Sequence, residues 1–404
     1  MDRLTQFREV LERLDGKQPL RSQRDADLYV DRPDPVAQTL ARHLPVRPGS
    51  CHLVTGPIGC GKSTELLAAG RVLTSTAGIF ARYADLTRLV DVRPGQFDVQ
   101  FAALMADVYA GLQFEAPNEG RFQIAKDAWV AYCAELASRD LFEHIPRSRY
   151  KLRPFTDHFA PPIDPVRDTP AHLREYVEEL AYLKSLMHQF KFGSLVWLID
   201  GLDRQSLADN FEEFVEPLLQ ACAAAEVGLA IVAPFRASMG VERAGIFAEF
   251  KRVIPVTPPD PSTPAGEEFL ASVLARRTEA QLLGPVERSR IAVLSGGILR
   301  HLLQLAEAAL TNAWVRGAAA VDGSDVDFAA SDLGRDLVFG LTDKEIQQLR
   351  QVAATGEFVA RDWEDRALIQ TNRVLQYQGP SGPPIHRVHP CIVPFLTAIG
   401  GGHP

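Results

Sequence analysis

The sequence lacks several features that would assign it to a class of protein. Its five cysteines (Cys51, Cys60, Cys133, Cys222, Cys391) lie far apart without C-x-x-C spacing, which argues against a disulfide framework. No apolar run approaches the ~20 residues that span a bilayer, and the charged N-terminus has no signal-peptide core. The histidines show no metal-binding spacing. We expect a cytoplasmic protein with reduced thiols, no zinc and no membrane partner.

An excess of basic residues is also absent. The 404 residues include 43 Lys and Arg against 51 Asp and Glu, a formal net charge of −8. This balance argues against a protein that coats nucleic acid through bulk charge, although a local basic patch stays compatible with it. The length is sufficient for two or three domains with buried cores.

The segment from Gly56 to Thr64, which reads GPIGCGKST, carries the clearest chemical signal. A short apolar strand precedes it and a helical run follows, as in a phosphate-binding loop. Glycines let the backbone curl so that N–H groups point at phosphate oxygens, and the following helix presents its positive end. We expect Lys62 to contact the β- and γ-phosphates of ATP and the Ser63 hydroxyl to bind Mg²⁺. The predicted nucleotide-binding residues of the loop are Gly56, Pro57, Ile58, Gly59, Cys60, Gly61, Lys62, Ser63 and Thr64.

Five short apolar runs alternate with helical patterns along the first two thirds of the chain. They lie at residues 51–55, 77–86, 195–199, 228–234 and 252–256. Alternation of this kind predicts an α/β fold with a doubly wound, parallel, five-stranded P-loop sheet. The third run ends in Asp200, whose carboxylate is expected at the C-terminal edge of the sheet, where it can bind Mg²⁺ together with Ser63.

The pattern of elements divides the chain into four parts. We predict an N-terminal helical segment at 1–28, a P-loop core at 29–260 with a mostly helical insertion at about 92–193, a helical lid at 261–340, and a winged helix at 341–404 whose wing is the turn 379–383. Just before the core helices, Tyr29 and Val30 are candidates to clamp adenine. Ordinary packing of this lead-in segment is the equal alternative.

In this order of parts the chain resembles the AAA+ and STAND P-loop ATPases, near their origin-recognition-like and NACHT/KAP-like branches. Residues 56–64 match the Walker A loop, and the stretch IDGLDR at 199–204 resembles the STAND form of the Walker B motif. The resemblance implies that Asp200 serves Mg²⁺ and that Asp203 prepares the attacking water. Many AAA+ proteins have glutamate where this chain has Gly201, and Asp203 is one methylene shorter than the usual STAND glutamate. We therefore expect slow hydrolysis of the ATP phosphoanhydride bond.

The same resemblance assigns roles to three arginines. Arg236 matches the sensor 1 arginine that reads the γ-phosphate, and Arg300, in the sequence Gly-Gly-x-x-Arg, resembles sensor 2 on the lid. For both, a solvent-exposed arginine of no special role is the alternative. Arg252 stands where a subunit often supplies an arginine finger to its neighbour, with Lys251 as the second candidate. A homo-oligomer is thereby implied.

The sequence is compatible with more than one function. The main prediction is an ATP-binding, slowly hydrolysing switch that controls oligomerisation or recruits a protein effector, in signalling or defence. The alternative is a DNA-handling ATPase, such as a replication or transposition loader, that uses the winged helix and the basic segment at 146–155. For that segment, a solvated loop inside the insertion is the favoured interpretation. A nucleotide-locked scaffold without turnover is the second alternative. The acidic total charge and the nearly neutral winged helix favour the switch over the DNA-handling ATPase.

Overall fold

The computed structural model describes residues 3–16, 26–89, 97–114, 171–203, 211–234, 250–378 and 383–399, with short pieces at 123–124, 127–128 and 130–132. Arg236, the basic segment at 146–155 and most of the predicted wing lie outside the described residues. The chain divides into two compact units. The sheet unit comprises Val36–Thr55 and Glu65–Ile254, and the helical unit comprises Met1–Pro35, Gly56–Thr64 and Pro255–Pro404.

The helices and strands follow one another in the predicted alternation. In chain order they are α1 (Arg3–Leu14), α2 (Val36–Val46), β1 (Cys51–Thr55), α3 (Lys62–Thr74), β2 (Ile79–Asp85), α4 (Leu86–Leu89), α5 (Phe97–Phe114), α6 (Arg174–Gln189), β3 (Ser194–Asp200), α7 (Phe211–Ala224), β4 (Gly228–Val232), β5 (Arg252–Pro255), α8 (Pro264–Ala275), α9 (Pro285–Leu294), α10 (Leu299–Val315), α11 (Gly323–Val338), α12 (Asp343–Thr355), α13 (Trp363–Gln370), β6 (Val374–Tyr377), β7 (Ile385–Val388) and α14 (Val393–Ile399). None of the described helices is long and apolar enough to cross a membrane.

The sheet unit is built on a five-stranded sheet with the strand order β2-β3-β4-β1-β5. The pairs β2–β3, β3–β4 and β1–β4 are parallel, and the register aligns Asp85 with Asp200. All residues of β1 and β4 are buried, as expected for parallel strands covered on both faces. Trp197 of β3 is fully buried and packs edge-on against Phe101 of α5, with 6.3 Å between ring centroids. The predicted α/β P-loop sheet is confirmed.

Several helices of the helical unit start at a side-chain cap. Thr263 precedes Pro264, the first residue of α8, and its hydroxyl accepts the Gly266 N–H at 3.1 Å. Helix α11 begins at a capping box formed by Asp322 and Asp325, and the buried Asp325 carboxylate also accepts from Arg316 at 2.7 Å. Local capping of this kind explains where α8 and α11 begin.

The C-terminal segment, residues 343–399, contains two helices, two strands and a last helix in the predicted order. Strands β6 and β7 form an antiparallel pair in which Val374 faces Val388. Tyr377 of β6 donates to the Gly296 carbonyl at 2.9 Å, and Arg387 of β7 forms an ion pair with Asp260 at 2.8 Å. The segment thus packs against the residues that flank α8 to α10. That it is a winged helix stays a prediction.

Candidate nucleotide-binding site

The Walker A loop, residues 56–64, belongs to the helical unit, and two of its glycines are required by close contacts. Gly59 has a φ of +81°, and a Cβ built on it would lie 2.8 Å from the Cβ of Arg300. A Cβ on Gly56 would lie 2.4 Å from the carbonyl oxygen of Val256. Real Cβ atoms are excluded at such distances, so glycine permits both the curl of the loop and its close seating.

Protein donors bind the carbonyl groups of this loop. Lys62, which is buried, donates from Nζ to the carbonyls of Gly56 at 2.9 Å and Pro57 at 3.0 Å. The backbone N–H of Arg300 donates to the Gly59 carbonyl at 3.1 Å. These donors fix the backbone of the loop, and a phosphate-binding loop uses its backbone N–H groups to bind phosphate oxygens.

Arg32 contributes the next contact, and sequence reasoning missed it. The residue is 6% exposed, and its Nη1 donates to the Cys60 carbonyl at 2.9 Å. Its Nη2 donates to the carbonyl of Thr257, and its Nε forms an ion pair with Asp34 at 2.9 Å. The guanidinium therefore joins the lead-in segment, the Walker A loop and the chain after β5. Nothing in the spacing of the sequence singles out Arg32, which stands between Asp31 and Pro33.

The predicted adenine contacts, Tyr29 and Val30, are half-buried in the lead-in segment. This segment is fixed to the end of α8, because Arg277 donates to the Leu28 carbonyl at 2.8 Å and Arg276 donates to the Asp27 carbonyl at 2.9 Å. The position of the segment is therefore defined by backbone contacts. Contact of Tyr29 or Val30 with adenine stays a prediction.

Arg300 reaches the loop through its backbone, whereas the sequence predicted a role for its side chain. Gly296 and Gly297, with φ values of +60° and +81°, turn the chain into α10, and Arg300 is the second residue of that helix. Its N–H is used for the Gly59 carbonyl, and its side chain is exposed. The sensor 2 role of the guanidinium stays a prediction.

In the sheet unit, two buried carboxylates lie at the C-terminal ends of neighbouring strands. Asp200 ends β3, where its Oδ2 accepts from the Tyr83 hydroxyl at 2.6 Å and its Oδ1 accepts from the Gly201 N–H at 2.8 Å. Asp85 ends β2 at the same register and accepts from the Thr87 hydroxyl at 2.7 Å. Sequence reasoning found Asp200 and missed Tyr83 and Asp85. The sequence did contain a signal for Asp85: an aspartate stands near the end of the apolar run 77–86, as Asp200 follows the run 195–199.

The remaining predicted residues lie in different surroundings. Asp203 is half-buried in the turn that follows Gly201, a residue with a φ of +92°. Arg252 is exposed at the first position of β5, next to the exposed Lys251. Arg236 lies outside the described residues. The roles of these residues in catalysis stay predictions.

The donor groups present fit Mg²⁺. Mg²⁺ prefers oxygen ligands, keeps several waters and is bound by one or two carboxylates together with substrate phosphates. The Ser63 hydroxyl and the Asp200 carboxylate are oxygen donors of this kind. The part of the chain that the structure describes contains no cluster of three or more His, Cys, Asp or Glu side chains for a metal held by protein alone. A metal shared with phosphates and water is compatible with that composition.

Comparisons with known proteins give similar chains among solved structures only. No family model and no curated protein matches the sequence. The ORC2 protein of Aeropyrum pernix is 12% identical, with a TM-score of 0.48 over 96% of this chain and 98% of that one. A Walker-type ATPase of Pyrococcus abyssi is 13% identical, with a TM-score of 0.47 over 95% and 99% of the two chains. The ORC1 protein of A. pernix in complex with DNA is 14% identical, with a TM-score of 0.41 over 97% and 96%.

Proposed function

We propose that the chain is a P-loop ATPase of the AAA+ type that binds ATP with Mg²⁺. The observation that carries the proposal is the Walker A loop itself. Its glycines take conformations and contacts that side chains would prevent, and the carbonyls of Gly56, Pro57, Gly59 and Cys60 accept protein donors. Such a loop is built to present N–H groups to an anion.

Each residue of the motif has a chemical role in this proposal. Lys62 exchanges the carbonyls of Gly56 and Pro57 for phosphate oxygens, because an anion is the stronger partner for an ammonium group. Ser63 and Asp200 would hold Mg²⁺, and the hydroxyl of Tyr83 orients the Asp200 carboxylate. When bound, Mg²⁺ neutralises charge on the β- and γ-phosphates. Asp203 orients the attacking water, and Arg236 and Arg300 contact the γ-phosphate.

The test compares two substitutions with different expected effects. Lys62→Ala should weaken ATP binding at least about tenfold and abolish turnover, because a charged phosphate contact is lost. Asp203→Asn should keep ATP binding within about twofold and lower turnover by about 100-fold, the usual contribution of a general base. Binding is measured by calorimetry and turnover by phosphate release, with Lys191→Ala, at an exposed lysine, as the control.

Three results would change the proposal. Turnover that survives Lys62→Ala would exclude the Walker A loop as the site. Equal rates in the wild type and Asp203→Asn would transfer the role in water activation to another group. Tight ATP binding without any turnover in the wild type would favour the nucleotide-locked scaffold.

DNA handling is the second candidate function. ORC1 of A. pernix, one of the proteins of similar fold, has been solved in complex with DNA, and the basic segment 146–155 is the sequence feature that favours this function here. The described residues add no observation for a protein effector, so the signalling switch keeps only its sequence arguments. Double-stranded DNA is therefore added to the turnover assay. A rate that rises with DNA, and falls again with salt, would assign the chain to DNA handling.

A further inference from the structure

The C-terminal segment contacts the Walker A loop directly at Ile58, the third residue of the loop. Asn372 donates from Nδ2 to the Ile58 carbonyl at 2.8 Å. The Ile58 N–H points in turn at the carbonyl of Gln370, 3.5 Å away. Gln370 is the last residue of α13, where carbonyl groups have no partner within their own helix. Both backbone groups of Ile58 are therefore engaged by one short stretch that lies more than 300 residues later in the sequence.

Asn372 is a costly residue at this position. Its φ is +62°, in the left-handed region, which glycine adopts without strain and which asparagine adopts at a smaller cost than most other residues. The residue is 4% exposed, and its Oδ1 is buried without a hydrogen-bond partner among the described residues. An unpaired buried acceptor destabilises the folded state. Glycine would remove both costs and would lose only the Nδ2 donor, so that donor is the property that distinguishes asparagine here.

The hydrogen bond completes the set of donors that hold the loop. The Gly59 carbonyl accepts from the Arg300 N–H, and the Cys60 carbonyl accepts from the Arg32 guanidinium. Ile58 is the residue between Pro57 and Gly59, and its carbonyl is the one that Asn372 binds. Among the described residues, each carbonyl group of residues 56–60 has a hydrogen-bond donor. Without Asn372, the Ile58 carbonyl would lose the donor that binds it here. A peptide released at this point is free to rotate, and rotation would disturb the N–H groups that follow it.

We propose that Asn372 is a positioning residue for the Walker A loop, which it holds in the form that receives nucleotide phosphates. This inference rests on the proposed function. It adds that the C-terminal segment is part of the nucleotide site's support, so that nucleotide binding and docking of the segment stabilise each other. Coupling of this kind is reciprocal by thermodynamic necessity.

Two substitutions separate the donor from the backbone conformation. Asn372→Gly keeps the left-handed conformation and removes the donor. Asn372→Asp keeps the size and the tolerance of that conformation, but replaces the donor with an acceptor that faces the Ile58 carbonyl. Lys191→Gly is the matched control, because Lys191 also has a left-handed φ, of +65°, and follows a helix in the sheet unit.

We expect ATP affinity to fall in the variants that lack the Asn372 Nδ2 donor and to be kept in the control, which retains it. The Kd for ATP should rise about three- to tenfold in Asn372→Gly, the effect of one hydrogen bond, and at least as much in Asn372→Asp. It should stay within about twofold in Lys191→Gly. In nucleotide-free protein, hydrogen exchange at the loop amides should be faster in both Asn372 variants. ATP should also protect the amides of residues 343–399 in the wild type and protect them less in Asn372→Gly.

The outcomes distinguish this inference from the proposed function. If Asn372→Asp binds ATP like the wild type, or if either variant binds it more tightly, the positioning role is wrong while the effect of Lys62→Ala still supports an ATP site. If the wild type binds no ATP, the proposed function fails, and the exchange rates of the loop amides still test Asn372. Unchanged rates in both variants would then overturn the inference.

Discussion

At the scale of single residues, the best-defined feature of the site is the environment of Arg32. Its guanidinium is buried and makes three contacts that belong to three separate stretches of chain. A guanidinium offers several donors in a fixed plane, whereas a lysine ammonium is a single point. Replacement by lysine therefore keeps the charge and cannot keep all three partners.

We predict that Arg32→Lys lowers the free energy of unfolding by about 2–4 kcal/mol, because a lysine ammonium cannot donate to the buried Cys60 carbonyl, the Thr257 carbonyl and Asp34 at once. ATP binding should weaken as well, since the Cys60 carbonyl belongs to the Walker A loop. Urea unfolding and calorimetry measure the two effects. Arg42→Lys is the control: Arg42 is exposed on α2, and the change should stay within about 0.5 kcal/mol. A stable Arg32→Lys protein with full ATP affinity would show that the three contacts contribute little.

At the scale of elements, a pair of buried histidines joins α10 to the residues after β7. His301 Nδ1 and His389 Nε2 are 3.0 Å apart, and the His389 Nδ1 accepts the Cys391 N–H at 3.3 Å. Which of the two rings donates to the other depends on which ring nitrogen carries the proton. Burial, and then the charge of Arg300, lower the pKa of His301 to about 4. Burial, and then His301, lower the pKa of His389.

These pKa values predict a loss of stability in acid. A histidine with a lowered pKa in the folded state binds protons mainly after unfolding, so stability is complete above the unfolded pKa of about 6.5 and falls as the pH drops towards 4. At pH 5 the loss from His301 alone should be about 2 kcal/mol relative to pH 7.5. In His301→Gln the decrease in unfolding free energy between these pH values should be smaller by that amount. Urea unfolding at both pH values measures it, and His188→Gln, at an exposed site on α6, should change nothing.

The elements themselves were predictable from the sequence, because each has a local cause. Apolar runs with β-branched residues predicted β1, β3 and β4. The Walker A residues followed from spacing alone. Arg32, Tyr83 and Asn372 could not be found in this way, because each bonds to a backbone or side-chain group far away in the chain. Hydrogen bonds between distant segments leave no periodicity in a sequence.

At the scale of the whole molecule, the question is whether one copy of the chain carries a complete site. An arginine finger acts on the nucleotide of a neighbouring subunit and adds roughly 10³-fold or more to turnover. Arg252 is exposed at the start of β5, so its guanidinium is available to such a neighbour, and Lys251 beside it is equally exposed. Turnover per subunit should then increase with protein concentration.

A mixing experiment tests this prediction most directly. Arg252→Ala should bind ATP normally and turn over very little, and Lys62→Ala should be inactive because its own site is lost. Their mixture should regain activity, since a Lys62→Ala subunit still supplies Arg252 to the intact site of an Arg252→Ala subunit. Lys251→Ala, measured alone, should keep the wild-type rate, and its loss of activity would transfer the role to lysine. A mixture no more active than its two components, at concentrations where the wild type is active, would mean that Arg252 does not act between subunits.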